Sequence, residues 1–289
     1  MTENQRFTKI KQNVWKMESG GAVYSVKKYT SLAQAVKVRH VHQVLSAHGF
    51  PHIVPVLEKE DPLLFIQPWL EGARAVNFKR RMDRLDSFKA LQALHDTKSH
   101  IDWSTVSCLP YYHMLEKWDV RFAKFLELRE VCEQFLPFHM IEELLAYSEE
   151  ALKVCKKQQP SVSSLTLLHG DVVHHNILRD NCGQIRFIDF DLACLGTAED
   201  ERVLWIHRVL PQISYNAVFL MGEHPDLLTL SNQSLAKLLF PNEILREWLH
   251  LLSLPASQRQ RMVNKLLQFT ETALSHWPKL WYDVERMMK

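Results

Sequence analysis

Residues 7–69 carry their apolar positions in short runs broken by turn residues. Phe7-Thr8-Lys9-Ile10 and Asn13-Val14-Trp15-Lys16-Met17 are the length of strands. Ser19-Gly20-Gly21 is a turn signal, and residues 22–29 follow with Val23, Tyr24, Val26 and Tyr29, the β-branched and aromatic content that suits a pleated surface. The period then changes. Leu32, Ala35, Val36, Val38, Val41, Val44 and Leu45 recur near helical spacing, Ser31 offers a capping oxygen and Gly49 a stop, which predicts a helix over 31–48. Residues 53–57 and 63–66 supply two more strand-like runs, joined by the turn Glu58-Lys59-Glu60-Asp61-Pro62. The expected first lobe is two or three strands, one helix, then two strands.

After Pro68-Trp69-Leu70-Glu71-Gly72, helical periodicity takes over at 85–99, 111–135 and 137–158. A block of short strands and loops interrupts it at 165–195. Helical patterns then run to the C-terminus, with breaks expected at Pro211, Pro225, Pro241, Pro255 and Pro278. Neither an internal repeat nor a low-complexity tract occurs.

Composition narrows the function classes. The 289 residues are 46% apolar and 24% charged, the balance of a globular protein of one large domain or two modest ones. A net charge of +2 on 35 basic and 33 acidic residues is too even to draw nucleic acid or an anionic membrane by bulk attraction, so neither is expected as a partner. The local run Phe78-Lys79-Arg80-Arg81-Met82-Asp83-Arg84 reads as the solvated face of a helix. Cys108, Cys132, Cys155, Cys182 and Cys194 are scattered, with no CxxC pair, and read as free thiols. The first residues lack the charged-then-apolar pattern of a secretory signal, and no apolar stretch approaches the ~18 residues that span a bilayer. A cytoplasmic protein is expected.

The chemistry concentrates in Leu167-Leu168-His169-Gly170-Asp171-Val172-Val173-His174-His175-Asn176-Ile177-Leu178 and in Ile188-Asp189-Phe190-Asp191, whose Asp189 stands thirteen residues beyond Asn176. Two apolar runs flank a turn at Asp180-Asn181-Cys182-Gly183, so polar groups stand at the outer ends of a hairpin. Phosphoryl transfer needs an acceptor-only side chain near the attacking hydroxyl and oxygen ligands for Mg²⁺. Asp171, Asn176 and Asp189 meet that specification. The adjacent His174 and His175 suit a zinc site less well than this oxygen set suits Mg²⁺. They shape the loop or touch substrate. Asp191 faces an acceptor pocket or caps the segment that follows it.

His-Gly-Asp-x-x-x-x-Asn followed by Ile-Asp-Phe-Asp resembles the signature of the aminoglycoside phosphotransferase and choline kinase superfamily, which includes spore-coat-like members. The resemblance implies an α+β, bilobal protein-kinase-like fold with a small β-rich N-lobe (1–68, nucleotide-binding) and a larger helical C-lobe (69–289, catalytic loop and acceptor-binding helices). It implies ATP or GTP and Mg²⁺ as cofactors and a hydroxyl of a small molecule as acceptor. Asp171 would be the catalytic base, Asn176 and Asp189 metal ligands, and His169 a structural pin of the loop. Lys27, on the strand after the Ser19-Gly20-Gly21 turn, would hold the α- and β-phosphates; Lys28 would point to the other face. Gln43 occupies the position of the helix glutamate that usually pairs with this lysine, since residues 31–48 contain no Asp or Glu. Lys9-Ile10-Lys11-Gln12-Asn13-Val14 takes the place of the phosphate-covering loop without its glycines. The segment 65–72 would be the hinge, with Gln67 C=O and the Trp69 or Leu70 N–H on the adenine edge, since Pro68 has no N–H. A non-catalytic, spore-coat-like module is the alternative. Protein-kinase activity is a weaker rival, because no Ala-Pro-Glu segment follows Asp189.

Overall fold

The structure, a computed structural model, describes residues 5–57, 60–159 and 164–289. The chain forms two compact units. One comprises Met1–Tyr112 with Leu165–Ala198, the other His113–Ser164 with Glu199–Lys289.

The first unit opens with strands β1 (Arg6–Lys11), β2 (Val14–Ser19) and β3 (Ala22–Lys28), then helix α1 (Leu32–Ala47) and strand β4 (Leu64–Pro68). The strands make one antiparallel sheet in the order β1-β2-β3-β4. Alternation along β3 decides what each face carries. Val26 packs with Met17 and Ile66 on one side. Lys27 and the following Tyr29 share the opposite side. The Ser31 hydroxyl accepts from Gln34 N–H at 3.4 Å to start α1, and Gly49 leaves it in the left-handed region at φ 68°. The helix buries Ala35, Val38, Val41, His42 and Leu45.

The run 53–57 does not become a strand. It makes only single bridges, Ile53 to Phe187 and Leu57 to Ile66. Pro55 stands in the middle of the run without an N–H to give a ladder. Of the turn expected after it, Glu58 and Lys59 lie outside the described residues; Asp61 accepts from Leu63 N–H at 2.9 Å.

The same unit continues with strand β5 (Arg74–Ala75) and helix α2 (Arg81–Asp96) and closes with strands β6 (Leu165–Leu168), β7 (Ile177–Arg179), β8 (Ile185–Phe187) and β9 (Cys194–Thr197). β5, β7 and β8 form one small sheet; β6 pairs with β9. The basic run at 78–84 is not simply a solvated face. Phe78 and Arg84 are buried, and the Arg84 guanidinium donates to the carbonyls of Phe78 (2.8 Å) and Lys79 (3.1 Å). Next to it, the buried Asp83 carboxylate accepts from Arg74 (2.7 and 3.0 Å), Arg179 (2.9 Å) and the Asn77 N–H (2.9 Å). Burial alone would raise the Asp83 pKa. Arg74, the Asn77 N–H and Arg179 outweigh it and hold the carboxyl at about 2.

That depression has a consequence for stability. A carboxyl held below its unfolded value contributes stability above the unfolded pKa and loses it as pH falls through the folded one. Asp83→Asn is therefore expected to lower unfolding free energy at pH 7 by about 2 kcal/mol or more. The difference should shrink by pH 3, as urea unfolding at the two pH values would show. An equal difference at both would place the loss in packing rather than charge.

The second unit is helical: α3 (Met114–Glu127), α4 (Arg129–Cys132), α5 (Phe138–Lys157), α6 (Ala198–Val209, beginning at the unit boundary), α7 (Ala217–Glu223), α8 (Asn232–Lys237), α9 (Asn242–Ser253) and α10 (Ala256–Met287). The single helix read over 111–135 is two, broken at Leu128. Trp118 stacks on Phe240 at 4.7 Å between ring centres, and the Trp248 indole donates to Thr270 Oγ1 at 2.8 Å, so these tryptophans are core. Within Glu199-Asp200-Glu201, Glu199 accepts from Ser231 and Ser234 at the start of α8, and Asp200 pairs with Lys237 at 2.6 Å. Pro211, Pro225, Pro241 and Pro255 fall at helix starts. Pro278 does not break its helix: α10 runs through it. An interior proline costs ~3 kcal/mol. Burial of Trp277, Leu280 and Val284 on one face, with the Trp277 indole donating to Leu239 O at 3.3 Å, offsets it. Among the described residues no helix is long and apolar enough to cross a membrane.

Candidate active site

The β6–β9 ladder sets the site. Leu168 pairs with Cys194, so the loop leaving β6 and the segment entering β9 start side by side. His169 follows β6 and is fully buried. Its Nδ1 accepts from the Asp171 N–H at 3.3 Å, which leaves the proton on Nε2 to donate to Ile188 O at 2.9 Å. One imidazole thus joins the loop at 171 to the residue before Asp189. Its ring packs on Phe190 (4.5 Å) and Phe187 (5.6 Å).

Asn176 is buried at 3% exposure and completes the loop. Its amide nitrogen donates to both the Asp171 carboxylate and the Asp171 backbone carbonyl, each at 3.1 Å. The Asn176 backbone carbonyl accepts from Ile188 N–H at 3.0 Å. Asp171 is therefore fixed from both sides, by His169 on its N–H and by Asn176 on its carboxylate. His174 and His175 are exposed, their rings edge-on at 5.2 Å. Partial desolvation of the His175 ring, and then the neighbouring His174, lower its pKa.

Asp189 adopts the left-handed region, φ 65° and ψ 61°, a conformation that costs a non-glycine residue about 1–3 kcal/mol. It turns the carboxylate to Lys27, whose ammonium lies 2.7 Å from Asp189 Oδ1 and 2.7 Å from Asp191 Oδ2; Lys11 is 3.6 Å from Asp189. Burial pushes the Asp189 carboxyl up, yet the bond to Lys27, its charge and that of Lys11 hold it below the usual carboxylate range. Lys28 is exposed. The structure thus brings Asp171, Asn176, His169, Asp189, Asp191 and Lys27 together within the first unit.

A cavity of about 400 Å³ lies in the same unit, lined by Lys27, Asp189 and residues 67–70 among others. Val14, Val38, Phe65 and Ile188 line its apolar walls. The edge at 67–70 follows from ladder parity. The Trp69 N–H donates to Val23 O at 2.9 Å. Bonded and non-bonded pairs alternate along antiparallel strands, so Gln67 is turned to Ser25, and Pro68, opposite Tyr24, directs its C=O outward from β4. The Gln67 carbonyl and the Trp69 N–H are therefore ladder groups. The Gln67 side chain is engaged too, donating to Val54 O at 2.8 Å.

Gln43 is exposed on α1 and does not line this cavity. The helix turns residues 35, 38, 41, 42 and 45 inward, and position 43 falls outside that stripe. Three contributors were not singled out from the sequence. Tyr29 donates to Asp191 Oδ1 at 2.8 Å. Lys37 donates to the carbonyls of Asp191 (2.7 Å) and Ala193 (3.2 Å). His42, fully buried, packs edge-on to Phe65 and Phe190 and is kept neutral by burial, its pKa pushed down to about 4. Tyr29 had a signal, since it lies two residues from Lys27 on the same strand face; Lys37 and His42 had none.

A small antiparallel sheet at the N-terminal end, a loop at 169–176 followed by a hairpin and a mainly helical remainder define a kinase-like fold. The model of the phosphotransferase enzyme family matches residues 9–201, more than half of the chain, and the chain belongs to that family. Among solved structures, it is similar to an aminoglycoside phosphotransferase from Alicyclobacillus acidocaldarius at 14% identity and a TM-score of 0.71, over 98% of this chain and 93% of that one. A choline/ethanolamine kinase family protein from Mesorhizobium loti matches at 13% identity and 0.62, over 99% and 93%. A spectinomycin phosphotransferase solved with ADP and spectinomycin matches at 16% and 0.63, over 93% and 92%. At these identities the likeness is one of fold. No curated protein is significantly similar in sequence.

Proposed function

We propose that the protein transfers the γ-phosphate of ATP or GTP to a hydroxyl of a small molecule of the aminoglycoside, amino-alcohol or sugar kind. The observation that carries this reading is the joint fixing of Asp171 by His169 and Asn176 beside a Lys27–Asp189 pair. The ADP and spectinomycin bound to the spectinomycin phosphotransferase support a nucleotide and a small-molecule acceptor.

In this reading residues 1–68 hold the nucleotide and residues 69–289 supply the catalytic loop and the acceptor contacts. The base enters the cavity at residues 67–70, where the Pro68 C=O accepts and the Leu70 N–H donates, one residue along from the expected Gln67 carbonyl. Lys27 holds the α- and β-phosphates. Asp171 accepts the proton of the acceptor hydroxyl as that oxygen attacks phosphorus in line.

The donor set fits Mg²⁺: a carboxylate at Asp189, and at Asn176 an amide whose nitrogen is committed to Asp171, leaving its oxygen as the ligand atom. Bound there, Mg²⁺ would supply charge neutralisation along the phosphates.

The non-catalytic alternative draws on the absence of an acidic residue in α1. Against it stands Lys27, which has carboxylate partners all the same.

The test is a thermal shift with ATP or GTP, with and without Mg²⁺. A ligand that binds only the folded state raises Tm by mass action, by about 2.7 kcal/mol of stabilisation at a hundred times Kd. The native protein is expected to show a Mg²⁺-dependent rise that Asp189→Asn loses. No rise with either nucleotide would favour the non-catalytic reading.

A further inference from the structure

A kinase lysine of this kind is ordinarily held by a glutamate of the neighbouring helix. Helix α1 has neither Asp nor Glu, and Gln43 faces away from the cavity. Lys27 is nonetheless held on three sides. Asp189 and Asp191 each stand 2.7 Å from its ammonium, and the Tyr29 ring lies 4.9 Å below it.

The two carboxylates are not equivalent. Asp189 is the one that a metal-bound nucleotide would draw on. Asp191 has both oxygens committed away from any acceptor, Oδ1 to the Tyr29 hydroxyl at 2.8 Å and Oδ2 to Lys27. Its backbone is committed as well, because Lys37 of α1 donates to the Asp191 carbonyl at 2.7 Å and to Ala193 O at 3.2 Å. The helix thus contributes a cation, and the carboxylate comes from the segment that the cation grips. The usual polarity between helix and lysine is exchanged.

We infer that Asp191 is the positioning residue for Lys27, doing the work of the missing helix carboxylate, with Tyr29 orienting its side chain and Lys37 anchoring its backbone. This rests on the phosphotransferase reading, and it removes Asp191 from the acceptor contacts and from simple capping. It also gives a reason for an aspartate where protein kinases have the glycine of Asp-Phe-Gly. A glycine there would leave Lys27 with Asp189 alone.

The experiment measures the Kd of Mg·ADP by calorimetry for native protein, Asp191→Asn, Asp191→Glu and Tyr29→Phe, each also in a Lys27→Ala background. Loss of a charge-assisted contact corresponds to about tenfold weaker binding. Asp191→Asn is expected to bind about tenfold more weakly, Tyr29→Phe about threefold, and Asp191→Glu to recover most of the loss. In the Lys27→Ala background the same changes should have almost no further effect, because the residues act through Lys27. A merely structural role would lower binding equally in both backgrounds. Native affinity in Asp191→Asn, or an undiminished effect without Lys27, overturns the inference and leaves the phosphotransferase reading standing. Absence of Mg·ADP binding by native protein overturns both. Should Asp191→Asn fail to fold by circular dichroism, Tyr29→Phe carries the same test, with additive losses as the contrary result.

Discussion

Asp171→Ala is expected to lower turnover by about 10³-fold while nucleotide affinity stays close to native. A positioned general base contributes about 10²–10⁴-fold, and the Asp171 carboxylate is held by Asn176 rather than by the lysine that would meet the nucleotide. The loss should therefore fall on kcat, with KM for nucleotide little changed. The measurement is steady-state transfer to whichever hydroxyl acceptor supports native turnover, beside a nucleotide titration. Asp171→Asn separates two roles. It keeps the shape but cannot take a proton, so it should be nearly as slow as the alanine variant if Asp171 is the base. If it retains most of the rate, the side chain orients the hydroxyl and the proton leaves by another path.

The second large effect is on folding. Gly170→Ala should lower stability by at least about 3 kcal/mol and remove activity with it. Gly170 has φ 82°, where an L side chain is strained, and a Cβ there would stand 2.0 Å from the Leu192 carbonyl oxygen. That oxygen is backbone, so it cannot swing aside; the loop or the segment after Asp189 must move. Both carry site residues. Thermal unfolding with and without nucleotide would show a lower Tm and a lost nucleotide shift. A variant with native Tm and native binding would mean that the loop and residue 192 separate easily. That result would undercut the close approach on which the site geometry depends.

Much of this arrangement was legible before any coordinates. Short apolar runs and their turns marked β1 to β3, and the Ser31 and Gly49 signals bounded α1, because these are local preferences that neighbouring residues reinforce. Asp171, Asn176 and Asp189 stood out along the chain because the proposed transfer would need those residue types in that order. What stayed hidden depended on distance in sequence. Spacing points to a partner for Lys27 sixteen residues away on a helix, whereas Asp191, 164 residues away, stands 2.7 Å from its ammonium. Gln43 misled because spacing along a helix locates a residue on the cylinder only after the buried stripe is known. Residues 53–57 looked like a strand because apolar content does not reveal which backbone groups find partners, and Pro55 has no hydrogen to give. At Pro278 the local penalty was real, and buried tryptophan and leucine overrode it.

The first unit is discontinuous in the chain, and this bears on the order in which the protein can be made. Ile53 meets Phe187, β5 pairs with β7, and the Tyr112 N–H donates to Leu195 O. During synthesis the early partners of these pairs emerge long before the late ones. Until residue 198 is translated, the nascent chain holds a four-stranded sheet whose companion strands do not yet exist. Domains generally fold as units while the chain grows. Here the segment 113–164 emerges in between, so the unit that houses Lys27 closes only after another stretch of polypeptide has left the ribosome. The same carboxylates that hold the lysine arrive in that final closing segment, and the site is therefore assembled late, in one step with the unit that contains it.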